Sequence, residues 1–162
     1  MPHAGERHET VVVVKRNTAM WAQMQTFAFV RNPFDRLLSI YLNRCRTLKS
    51  YDGLSFPEFI EKACKGTADG RTIMTAPCAN WLSVRVGGQF GVGVGFVGRF
   101  EALDVEYARL CDWLGIQAPP LPHRGATDHG SYHGYYTVRM QRMVERIFRR
   151  DLEWFGYTFN GK

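Results

Sequence analysis

The residues with the clearest chemical content lie between Phe27 and Tyr41, in the string FAFVRNPFDRLLSIY. The apolar run Phe27–Val30 reads as a short strand that ends in Arg31 and turns directly into a helix. Asn32 suits the helix cap and Pro33 the first helical position. Asp35 falls in the first turn, where the positive end of the helix dipole favours a carboxylate. A guanidinium fixed at a strand-to-helix turn is a recurrent way to hold an anion such as phosphate. On residue types alone a plainer reading competes with it: a capped core helix that carries a surface Arg31–Asp35 pair.

The string RNPFDRLLSIY resembles the 3′-phosphate-binding motif of sulfotransferases that use 3′-phosphoadenosine 5′-phosphosulfate (PAPS). The match is closest to the carbohydrate-type family and its small bacterial relatives. The resemblance implies that Arg31 and Ser39 hold the 3′-phosphate of the nucleotide. Ser39 lies about two turns into the expected helix, roughly 9 Å along its axis from Pro33. A phosphate held by both residues then lies beside the helix rather than capping it. Two further blocks carry the same resemblance. One is Phe96-Val97-Gly98-Arg99-Phe100-Glu101 with the later Leu114-Gly115-Ile116. The other is Tyr135-Tyr136-Thr137 with Asp151-Leu152-Glu153-Trp154-Phe155-Gly156-Tyr157. Together they run from about residue 27 to the end.

In that family a lysine in a PKxGxT/S loop ahead of the motif grips the 5′-phosphosulfate end. No such string occurs here. The one early lysine, Lys15, stands in VVVVKRNT without a glycine turn before it. The resemblance thus leaves two expectations. One is a PAPS-dependent transferase acting on a hydroxyl of a carbohydrate or related acceptor, with 3′-phosphoadenosine 5′-phosphate as co-product. The other is a truncated or degenerate relative that holds nucleotide or sulfated glycan without turnover. His8, in His8-Glu9-Thr10, matches a His-x-Thr/Ser element of relatives and is the candidate general base. Histidine suits that role because its pKa lies near operating pH; Glu9 and Glu6 are the alternatives. Arg124, Thr127 and His129 sit in a polar segment where relatives fold over the nucleotide, so Arg124 and Thr127 join the cofactor-binding set. An ordinary surface connection is the plainer reading there. Arg99 either lines the cleft or pairs with Glu101. Tyr132, Tyr135 and Tyr136 could stack on adenine, with core packing expected for at least two of them.

The elements that must position these residues follow from periodicity and caps. A helix is expected from Pro33 to about Leu48, with Leu37, Leu38, Tyr41 and Leu42 as apolar positions. Ser55 and Glu58 form a capping-box pattern ahead of a helix that ends near Gly66. Val11–Val14 is β-branched and strand-like by propensity, whereas the resemblance implies helix; its state stays open. Residues 67–80 look like loop, and 81–84 like strand or turn. The string at Gly93, Gly95 and Gly98 has dinucleotide-fingerprint spacing, but its glycines precede a strand over 95–100 instead of opening a helix. A glycine-rich hairpin feeding that strand is the simpler account. Asp104 is placed as the cap of a helix ending at Gly115. Thr137 is placed as the cap of a long basic helix through about Glu153, with a Glu145–Arg149 pair. Strand and helix alternate, which argues for an α/β fold, a three-layer sandwich with a mainly parallel central sheet. The resemblance implies the nucleotide-kinase-like sulfotransferase version of it, N-terminally incomplete.

With 162 residues, 45% of them hydrophobic and 14% aromatic, the chain has the make-up of one globular domain, not of a disordered one. The net charge of +6 favours anionic partners. No nucleic-acid motif is present, so nucleic acid is not expected. Cys45, Cys64, Cys78 and Cys111 show neither CxxC nor zinc-ligand spacing and read as reduced core thiols; no metal site is expected. The arginines of the last helix, Arg139, Arg142, Arg146, Arg149 and Arg150, would attract an acidic glycan or simply form a solvated face. Nothing at the N-terminus resembles a signal peptide, and no apolar run reaches the ~20 residues that span a membrane. Animal members of the family carry a Golgi anchor, so this chain is expected to be a cytoplasmic, bacterial-type relative or a fragment.

Overall fold

The computed structural model describes residues 9–47, 53–66, 72–122 and 130–161. In chain order the elements are α1 (Val11–Asn17), β1 (Phe27–Val30), α2 (Pro33–Thr47), α3 (Phe56–Lys65), α4 (Thr72–Thr75), α5 (Cys78–Leu82), β2 (Ser83–Val86), β3 (Gln89–Val92), β4 (Phe96–Arg99), α6 (Leu103–Leu114), α7 (Val138–Ile147) and α8 (Arg149–Phe155). Short 3-10 turns cover Trp21–Gln23, Phe100–Ala102 and Tyr132–Tyr135. The chain is mixed α/β with a parallel strand pair, the class expected from the alternation. Its residues pack as two compact units. One holds the described residues up to Val30 together with Cys78–Pro119; the other holds the described residues of Arg31–Pro77 and those from Pro120 onward.

In the first unit β1 pairs with β4 in parallel, in a register that sets Phe29 opposite Gly98 and Val30 opposite Arg99. A Cβ at Gly98 would meet the Phe29 ring at 2.5 Å, so glycine is what lets that ring lie across the neighbouring strand. β2 and β3 form an antiparallel hairpin. Its turn is Gly87-Gly88, with φ of 58° and 85°, as a two-residue primed turn requires. The glycine-rich stretch is therefore the hairpin its composition suggested. The Val11–Val14 run is helical: the N–H groups of Val13 and Val14 donate to the Thr10 carbonyl, and Val11 is buried. α1 packs on β2, and that contact overrides the strand propensity of its valines. α6 starts one residue before Asp104, because the 3-10 turn at Phe100–Ala102 already leads into it. Ala102 occupies the cap and Asp104 the first turn. Gly115, with φ of 69°, ends the helix as expected.

The second unit is helical. Phe34, Leu37 and Leu38 of α2, Phe56, Phe59, Ile60 and Ala63 of α3, and Met140 and Val144 of α7 form one core with Phe148. Each fully buried side chain of this size contributes about 1.5–3 kcal/mol. Glu58 Oε2 accepts from both the N–H (2.9 Å) and the hydroxyl (2.5 Å) of Ser55, so the capping box forms. Gly66, with φ of 73°, closes α3. Thr137 Oγ1 accepts from the Met140 N–H and caps α7. The long last helix is broken at Phe148, whose φ and ψ of −97° and 18° leave the helical range. Its ring is wholly buried, with the Arg36 guanidinium 5.7 Å from the ring centroid. The break moves Arg149 off Glu145. Arg149 pairs with Glu153 instead, and Glu145 accepts from Gln141. The segment read as loop over 67–80 holds α4 and the start of α5, helices too short to show a period.

Candidate functional site

The candidate site is built on the first turn of α2, in the second unit. Asn32 caps the helix as its type suggested. Its Oδ1 accepts from the Phe34 N–H (3.1 Å), and its carbonyl accepts from the Arg36 N–H (2.9 Å). Its amide does more than the cap requires. Nδ2 donates to the Thr158 carbonyl (3.0 Å) and to the Tyr132 hydroxyl (3.3 Å), and the side chain is 3% exposed. Tyr132 in turn donates to the Phe159 carbonyl (2.7 Å), and Tyr136 donates to the Phe34 carbonyl (2.8 Å). The rings of Tyr136 and Phe159 meet Phe34 edge-on at 5.4 and 5.0 Å. The helix start is thereby fixed from two other regions of the chain. Tyr132 and Tyr136 are packing and hydrogen-bonding groups, as expected for at least two of the three tyrosines; Tyr135 is more exposed.

Burial, then the neighbouring Cys64, Asp35 and Tyr132, push the Tyr136 hydroxyl far above the usual tyrosine range. It stays protonated and serves as a hydrogen-bond donor, not as a base.

Arg31 stands just ahead of this cap. Its Nε donates to Asp35 Oδ2 at 2.6 Å, a short charge-assisted bond, and both side chains are about four-fifths shielded, at 21% and 19% exposure. Anchoring through Nε fixes the plane of the guanidinium, which presents donors in a rigid fork. Ser39, partly exposed, lies one turn beyond Asp35. Residues four apart share a helix face, so Asp35 and Ser39 lie on one stripe of α2, with Arg31 joined to its head. A guanidinium and a hydroxyl on one stripe form a donor set suited to an oxyanion. The Arg31–Asp35 pair of the plainer reading is thus present, and it is the device that orients the arginine.

Arg36 was not singled out by its sequence context. Its Nη2 donates to the Ala76 carbonyl (2.5 Å), tying the segment before α5 to α2. Only residues distant in sequence reveal that role. His8, Arg124 and Thr127 lie outside the described residues. No described helix is long and apolar enough to cross a membrane.

A family model described as the sulfotransferase family matches residues 3–158, nearly the whole chain. No curated protein and no solved structure matches it significantly.

Proposed function

The chain belongs to the sulfotransferase family, and on that premise we propose that it transfers a sulfuryl group from PAPS to a hydroxyl of a carbohydrate or related acceptor. The observation that carries the nucleotide assignment is the 2.6 Å bond between Arg31 and Asp35 at the head of α2. It presents a guanidinium of fixed orientation on the stripe that carries Ser39. In this reading Arg31 and Ser39 grip the 3′-phosphate, with Arg124 and Thr127 adding donors. Bound PAPS supplies the sulfuryl group and a nucleotide leaving group. His8 would take the proton from the acceptor hydroxyl as its oxygen bonds to sulfur and the bond from sulfur to the bridging phosphate oxygen of the departing nucleotide breaks. Aligning the acceptor and neutralising charge are the main tasks left to the protein, as in phosphoryl transfer.

Calorimetric titration with 3′-phosphoadenosine 5′-phosphate, against AMP as control, tests the reading. Wild-type binding should depend on the 3′-phosphate. Arg31→Ala should weaken it at least roughly tenfold, the loss of a charge-assisted contact, and leave AMP unaffected. Equal affinity for the two nucleotides would overturn the site. Binding of the nucleotide with no transfer to any hydroxyl acceptor would favour the second reading, a relative that binds without turnover.

A further inference from the structure

α7 carries Arg139, Arg142 and Arg146 on one side, spanning about 10 Å of helix axis. With Met143 they line a surface depression of about 410 Å³. Arg139 reaches Glu61 of α3 at 3.1 Å, but both groups are substantially exposed, so the pair neutralises little. No carboxylate among the described residues pairs with Arg142 or Arg146. The Arg146 charge lowers the thiol pKa of the half-buried Cys64, an effect that burial outweighs. Three of the five arginines expected either to attract an acidic glycan or to form a solvated face thus line a concavity, and like charges around a concavity raise the local concentration of anions. The volume is that of a small-ligand cleft, larger than one bare anion needs.

We propose that this depression is an anion-binding site for a sulfate or phosphate group, separate from the turn at Arg31. Guanidinium forks match tetrahedral oxyanions in geometry as well as charge. The lining contains no aromatic ring, whereas single-stranded nucleic acids are held largely by base stacking on such rings. The anion is either free or an ester on a larger polar molecule, and the two sources separate experimentally.

Three probes serve: inorganic sulfate, dextran sulfate and neutral dextran. Binding of labelled dextran sulfate is measured by anisotropy, and the unfolding midpoint is followed in sulfate against chloride at equal ionic strength. The double variant R142Q/R146Q removes two exposed side chains and leaves the core intact. R109Q/R149Q removes the same charge from exposed arginines outside the depression. Dextran sulfate should bind the wild type, and R142Q/R146Q should bind it at least roughly tenfold more weakly. R109Q/R149Q should stay near wild type. A midpoint raised by inorganic sulfate in wild type but not in R142Q/R146Q assigns the free anion as ligand; a response to the polymer alone assigns the ester. The proposal falls if R142Q/R146Q binds like wild type, if the charge-matched control loses as much, or if neutral dextran binds equally.

Discussion

Asn32 joins two functions that a helix cap does not normally combine. Its carbonyl oxygen stabilises the first turn of α2, and its amide holds Thr158 and Tyr132, 126 and 100 residues away. Asn32→Ala should cost about 2–4 kcal/mol, a lost cap plus two lost bonds. Asn32→Asp keeps the cap acceptor but turns a carboxylate toward the Thr158 carbonyl. It should therefore be destabilised nearly as much in denaturant titration, whereas a simple cap would tolerate it. The Arg31–Asp35 pair and the capping role of Asn32 were legible in the sequence, because both follow from residue type and spacing at the start of a helix. The second role of Asn32 was not. Its partners come from a distant 3-10 turn and from the tail, and no local spacing encodes them.

At the scale of elements, devices contained within a few residues were the legible ones. The Ser55–Glu58 box, the Gly66, Gly115 and Gly156 stops and the Gly87-Gly88 turn each depend on neighbours in sequence. The break at Phe148 and the helicity of Val11–Asn17 depend on packing, and local pattern favoured other outcomes. The capping box carries a pH signature. Its hydrogen bonds to Ser55, the side chain first and then the backbone, hold the Glu58 carboxyl below its ordinary 4.5. A carboxylate depressed on folding stabilises fully above 4.5, and the contribution disappears as pH falls through the lower, folded value. Glu58→Gln should therefore show a shallower loss of thermal stability than wild type below pH 4.5, with both curves parallel above it. Phe148→Ala should cost about 3–5 kcal/mol in chemical denaturation, since its ring fills the core where the helix breaks.

For the whole molecule, composition limited the possible classes more than it identified one. A charge of +6 is compatible with many anionic partners; Arg139, Arg142 and Arg146 of α7 gather part of it around one depression. The three blocks from residue 27 onward carried the family resemblance, and the family match extends it to residues 3–158. The candidate base and the polar loop residues depended on that resemblance, because isolated histidines, arginines and threonines have no local signature. Cys45, Cys64, Cys78 and Cys111 are all free, as their spacing suggested. The unfolding midpoint should accordingly be the same with and without reductant, and four thiols should titrate once the chain is denatured. Cys64 should alkylate slowly at pH 8, because burial, partly offset by Arg146, pushes its thiol up to about 11.

The bonds from Asn32 to Thr158 and from Tyr132 to Phe159 also set an order in time. A ribosome makes Asn32 long before Thr158. Until the tail is made, the amide of Asn32 lacks the Thr158 carbonyl and the Tyr132 hydroxyl lacks the Phe159 carbonyl, so α2 begins with part of its anchor missing. A nascent chain halted after Gly156 would carry the arginine, the aspartate and the serine of the turn without the tail that holds the turn in place. Assembly of this region is thus a late event in the life of each molecule, completed by residues that contribute none of its charged groups.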